Sequence, residues 1–184
     1  SASWPRSAVY KRQLMDGINM GGGVGLSVHG SHRVATERLT FAMPETGIGL
    51  FPDVGGTYFL PRAPGETGMY LALTGARLKA ADAIYVGIAD AYVPSERLET
   101  LKDRLAGGMP VREALAEVAE EEGPAPLASM QAEIGAHCSG GAVSDILSSL
   151  RADGSEWAET TAYPLETKSP LSPLSADRQV LEGS

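Results

Sequence analysis

The chain has 184 residues, a single cysteine, 43% apolar and 21% charged residues, and a formal net charge of -8. That length suits one ordinary domain with a sizeable core, and the charged fraction is too low for wholesale disorder. The acidic balance argues against nucleic acid as a partner, because phosphate backbones need a basic face; a small anionic ligand stays open to local cations and backbone amides.

No apolar run approaches the roughly 20 residues that cross a bilayer, and the first residues lack a basic start followed by an apolar stretch, so no membrane partner is expected. Cys138 alone excludes an intramolecular disulfide and suits a reducing compartment. Arginine outnumbers lysine and Ala and Gly are abundant, which points to a GC-rich bacterial genome and a cytoplasmic protein.

In chain order, residues 1–13 carry no clear period; Val9–Met15 reads as a strand interrupted by Lys11, Arg12 and Gln13. Asp16-Gly17 is a turn signal. Met20–His32 reads as a helix whose first turn is Gly21-Gly22-Gly23, although four glycines in five positions make a poor helix. Close backbone approach is the expected reason for them. Arg33–Ala42 splits into two short strands around Thr36-Glu37-Arg38, and Met43–Gly56 is too rich in Gly and Pro for either period. Gly55–Leu60 reads as a short helix stopped by Pro61, Glu66–Thr74 as a helix with Gly75 at its C-terminal cap, and Lys79–Val86 as another ending at Gly87. Ile88–Val93 is expected to be a buried strand, and Ser95 the N-cap of a helix over Glu96–Leu105. Helical patterns follow at 111–121, 125–137, 142–152 and 155–168, and the last residues show no period.

Chemistry concentrates between Asp16 and Arg62. The glycine triplet at a helix start offers free N–H groups and a positive dipole end, suited to a phosphate or a developing oxyanion; equally, bare glycines let a helix cross a neighbour closely. No dinucleotide or P-loop fingerprint is present. Gly25-Leu26-Ser27-Val28-His29 has His where a nucleophile elbow needs Gly, so Ser27 is expected to be an ordinary helix residue. Glu45 and Asp53 each follow a proline in an otherwise apolar loop, where desolvation raises a carboxyl pKa and suits acid–base or nucleophilic work; each could instead cap a loop or helix. His29, His32, His137 and Cys138 lack metal-ligand spacing, so no metal site is expected, and Arg62, Arg77 and Lys79 read as surface charges.

Three blocks, MDGINMGGGVGLSVHG, FAMPETGIGLFPDVGGTYFLPR and LALTGARLKAADAIYVGIAD, resemble the crotonase (enoyl-CoA hydratase/isomerase) superfamily, and within it the 3-hydroxyisobutyryl-CoA hydrolase branch. The resemblance implies an α/β fold of repeated β-β-α turns followed by a helical C-terminal part. It divides the chain into an unassigned 1–13, a crotonase-like core at 14–106 carrying a CoA-thioester site, a helical part at 107–172 and a loose tail at 173–184. It implies substrate contact at Gly21, Gly22 and Gly23, with the Gly22 N–H as one of two oxyanion donors. Glu45 becomes nucleophile or general base, and Asp53 positions water or the substrate hydroxyl.

Hydratases of the superfamily carry a second glutamate where this chain has Gly25, so thioester hydrolysis is expected over hydration. An enoyl-CoA hydratase or isomerase using Glu45 alone, and a piece that only binds or associates, are the alternatives. No cofactor is implied beyond coenzyme A as part of the substrate. An acyl-CoA is the expected partner, and a homo-oligomer is compatible with the superfamily's trimer-based assemblies. Nothing in residues 1–13 resembles the family's N-terminal region, and the family continues past the tail, so a partial chain is expected.

Overall fold

The computed structural model describes residues 12–44, 56–139 and 142–167. Asp16-Gly17 breaks the first extended run into β1 (Arg12–Met15) and β2 (Ile18–Met20), and Gly17 takes φ 143°, a conformation that L side chains avoid. The chain then enters α1 (Gly22–Ser27) and repeats the pattern with β3 (His32–Ala35) and β4 (Thr40–Ala42). The strands pair in parallel as β1-β3-β5, with β5 at Ala91–Tyr92, and as β2-β4. Successive β-β corners therefore lie on one another, as the repeated β-β-α arrangement requires.

The corners are tied by their polar residues. Thr36 Oγ1 and Arg38 Nε both donate to Asp16 Oδ1 at 2.7 Å, and the Thr36 amide donates to Met15 O at 3.2 Å. Arg33 repeats the device one strand on: its backbone N donates to Asp90 Oδ2 at 2.7 Å and its Nε to the same oxygen at 3.0 Å. The next corner offers Glu37, whose carboxylate accepts from the Ser95 amide at 2.9 Å.

Helices α2 (Gly56–Phe59), α3 (Thr67–Thr74) and α4 (Ala80–Tyr85) follow, then α5 (Leu98–Ala106), α6 (Val111–Val118), α7 (Pro126–Ser129), α8 (Gln131–Cys138), α9 (Val143–Asp153) and α10 (Glu156–Thr167). One apolar core runs from Met15 and Val24 through Phe41, Leu73 and Ile88 to Ile134, Leu150 and Leu165. Helices α8–α10 therefore share the core of the β-β-α part. A smaller cluster joins Val34 and Val93 to Leu98, Leu101, Ala114 and Val118. Each fully buried Leu, Ile or Phe contributes about 1.5–3 kcal/mol of transfer free energy.

Several expected boundaries move. The helix expected over Met20–His32 spans only Gly22–Ser27, because β3 claims the chain from His32. The expected strand Ile88–Val93 shrinks to Ala91–Tyr92. The amides of Ile88 and Ala89 are spent on Ala83 O at 2.8 and 2.9 Å, closing the end of α4 around Gly87 at φ 75°. Ser95 is no N-cap: it opens a 3-10 turn, Ser95–Arg97, that leads into α5. Pro61 sits inside a 3-10 turn, Leu60–Arg62, that continues α2. The helix expected over 125–137 breaks at Met130, beyond which the Gln131 side chain donates to Thr67 Oγ1 and Pro64 O. Gly75 caps α3 in the left-handed region as expected.

The corner carboxylates set an acid limit. Asp16 is held below its ordinary range by the hydrogen bond from Arg38 and then by that from Thr36. Burial opposes ionisation of Asp90, but the Arg33 hydrogen bonds prevail and hold it low as well. A folded pKa below the unfolded one gives stability that is present above the unfolded pKa and is lost as pH falls through the folded one. Asp82 works the other way, because burial raises it. The thermal midpoint is therefore expected to fall as pH drops below about 4, and Asp16→Asn to flatten that slope while lowering stability at neutral pH. Thermal melts followed by circular dichroism across this range check both.

Candidate active site

Strand β2 delivers the chain to Gly21, which takes φ 53° and ψ -128°, a conformation that demands glycine. The first bond that closes α1 runs from the Val24 amide to Gly21 O at 2.9 Å. The amides of Gly22 and Gly23 precede it and, by their position in the first turn, find no carbonyl within the helix. Both residues are exposed.

The two readings of the triplet separate here. A Cβ built on Gly21 or Gly22 meets nothing within 4 Å, and one on Gly23 meets only Asn19 Oδ1 at 3.1 Å. Among the described residues no helix crosses closely at the triplet. The close crossing is elsewhere: a Cβ on Gly68 of α3 would lie 1.9 Å from the Leu60 carbonyl oxygen.

Strands β2 and β4 run parallel with Met20 opposite Ala42, so their C-terminal ends open on the same edge. One end leads into the triplet and the other to Met43 and Pro44. Clefts at the C-terminal ends of parallel strands are where α/β folds bind ligands. Glu45 and Asp53 lie outside the described residues. Beside the triplet, a cleft of about 290 Å³ is lined by Met15, Asp16, Ile18, Asn19, Gly23 and Leu26. Ile18 and Leu26 leave 82% and 65% of their surface exposed there.

Ser27 is fully buried; its Oγ donates to Val24 O at 3.1 Å and accepts from Asn19 Nδ2 at 2.8 Å. It is an ordinary helix residue, as its flawed elbow suggests. Asn19 is the residue that the sequence reading passed over. Its Oδ1 is buried without a partner among the described residues, and the signal was an amide side chain inside the short strand leading into the triplet.

The other reactive groups are engaged. His137 Nδ1 lies 2.8 Å from Ser149 Oγ and its Nε2 lies 3.1 Å from Asp153 Oδ2, tying α8 to α9, while its ring packs on Trp157. Burial pushes the Cys138 thiol up to about 12, leaving no thiolate at neutral pH. Arg62 lies 4.0 Å over the Tyr58 ring, and Lys79 Nζ donates to Thr40 Oγ1 at 2.7 Å. Among the described residues, no three His, Cys, Asp or Glu side chains gather as a metal site, and no helix is long and apolar enough to cross a membrane.

Comparison with known proteins agrees with this architecture. A family model described as enoyl-CoA hydratase/isomerase matches residues 11–184. The mitochondrial 3-hydroxyisobutyryl-CoA hydrolase of Xenopus laevis is 48% identical across 93% of this chain, and that of Homo sapiens is 46% identical across the same share. The chain spans 47% of the length of each. Among solved structures, a carnitinyl-CoA dehydratase from Mycobacterium thermoresistibile superposes with TM-score 0.88 at 44% identity, covering 92% of this chain and 50% of that one. An enoyl-CoA hydratase from Rhodobacter sphaeroides 2.4.1 gives TM-score 0.84 at 38% identity, covering 92% and 48%. With its stacked parallel β-β-α turns and a match over residues 11–184, the chain belongs to the enoyl-CoA hydratase/isomerase family and has the crotonase fold.

Proposed function

We propose that the polypeptide hydrolyses a short-chain hydroxyacyl-CoA thioester, 3-hydroxyisobutyryl-CoA first among candidates, a step of valine breakdown. The observation that carries this reading is the bare, exposed Gly22 at the start of α1, with nothing described within 4 Å of where a Cβ would stand, on the edge toward which β4 leads the chain before Glu45. The hydrolase names of relatives at 46–48% identity support the choice of reaction.

In this mechanism the thioester carbonyl oxygen takes a hydrogen bond from the Gly22 N–H, which strengthens as negative charge develops on it. Glu45 takes a proton from the water that attacks the carbonyl carbon, or attacks that carbon itself to form an anhydride that water then hydrolyses. The C–S bond breaks, the thiol of coenzyme A leaves with a proton, and the acid retains the oxygen of water. Asp53 orients the acyl hydroxyl, and Gly21 and Gly23 complete the contact with the acyl group. No cofactor enters, since coenzyme A arrives as part of the substrate. A bacterial cytoplasm suits the single Cys138 and the arginine-rich composition, and the protein acts alone or as a homo-oligomer.

Release of free thiol from 3-hydroxyisobutyryl-CoA is the direct test. Glu45→Gln is expected to lower kcat by at least about 10²-fold, and activity that survives it would sink these roles. A second reading, enoyl-CoA hydration or dehydration with Glu45 alone, is favoured by the dehydratase and hydratase among the similar structures. Turnover of crotonyl-CoA without thiol release distinguishes it.

A further inference from the structure

Asn19 is only 8% exposed, and its Oδ1 has no hydrogen-bond partner among the described residues. Leaving an amide oxygen buried without a partner costs stability, and β-branched or aromatic residues suit a strand better. Stability alone therefore does not account for Asn at this place in β2.

What its amide does is hold the glycine turn from two sides. Nδ2 donates to Ser27 Oγ at 2.8 Å, and that hydroxyl donates in turn to Val24 O at 3.1 Å. The last turn of α1 is thereby tied back to the strand that leads into it. Oδ1 rests against Gly23, 3.1 Å from where a Cβ would stand. Gly21 and Gly22 lie between Asn19 and Gly23, and glycines have the most backbone freedom to lose. A helix of six residues does not hold its own first turn in water. An oxyanion donor is effective only if its N–H is aimed before charge develops.

We propose that Asn19 is the positioning residue of the Gly22 donor, its buried amide locking the turn so that the Gly22 N–H is held in place before substrate binds. This rests on the hydrolase reading above, which it deepens.

The test uses Asn19→Ala, Ser27→Ala and the double variant, with steady-state thiol release and amide hydrogen exchange measured on each. For Asn19→Ala, kcat is expected to fall about 10–100-fold with KM within about threefold, since a misaimed group costs rate rather than ground-state binding. Exchange of the Val24 amide, which closes α1 on Gly21 O, is expected to quicken at least about tenfold while α9 amides keep their rates, whereas general loss of stability would quicken both. The double variant is expected to lose little more than Asn19→Ala alone, because the two side chains act through one linkage. Unchanged exchange at Val24, or quickened exchange with unchanged kcat, overturns the proposal. If the parent protein releases no thiol, the hydrolase reading fails instead, and with it the catalytic half of this inference; the exchange rates still decide whether Asn19 locks the turn.

Discussion

Gly22→Pro is expected to leave the fold intact and to remove about 10²–10³ of the hydrolysis rate. Gly22 is the first residue of α1 and is not among the positive-φ glycines, so the fixed φ of proline suits it. A first-turn N–H has no partner within the helix, so its loss costs the helix nothing. Packing does not object either, since nothing stands within 4 Å of a Cβ there. What the variant does lose is the N–H that the proposed mechanism assigns to the oxyanion. Gly22→Ala keeps the N–H and adds a methyl group to the ligand's side of the turn, so its loss is expected to fall mainly on KM. The pair of variants separates hydrogen-bond donation from clearance. Thiol release gives the rates, and a thermal midpoint within a few degrees of the parent shows that the fold has survived. A Gly22→Pro protein that retained its kcat would mean that this amide does not serve the reaction.

The opposite outcome is expected for Gly68→Ala, a smaller change that should unfold the protein or cost about 3 kcal/mol or more. Its Cβ would stand 1.9 Å from the Leu60 carbonyl oxygen and 2.6 Å from the carbonyl carbon, both backbone atoms of the 3-10 turn at Leu60–Arg62. No rotamer change relieves a collision with backbone. The chain must instead lift α3 away from Leu60, which is 1% exposed in the core, and disturb Met69 and Leu71 beside it. At about 2–4 °C of midpoint per kcal/mol for a chain of this size, a loss of roughly 6–12 °C or more follows. Gly135→Ala in α8 is the control. Nothing lies within 4 Å of a Cβ there, so it is expected to gain about 0.5–1 kcal/mol from helix propensity. Equal effects at the two positions would show that α3 does not rest on Leu60 as described.

These glycines also show how far the sequence could be read. Asp16-Gly17, the corner at Thr36–Arg38, the Gly75 cap, the ends of α9 and the start of α10 were legible, because turn dihedrals and helical periods are set by neighbours within a few residues. The three motif blocks likewise announced the family, which the match over residues 11–184 establishes. In the triplet, composition signalled that bare backbone was needed but not against what. Gly68 gave no signal at all within an ordinary helical pattern.

Folding decided the rest, where distant segments meet. Gly68 is required because a turn eight residues away presses its carbonyl on α3, and the triplet stays open because no helix comes there among the described residues. Ile88 and Ala89 left the expected strand because Ala83 O took their amides. Asn19 acquired its place only when Ser27 folded back onto β2. Local dihedral preference and periodicity are written residue by residue in the chain. Which surfaces approach to within an ångström is a property of packed pairs, and it exists only once the elements are assembled.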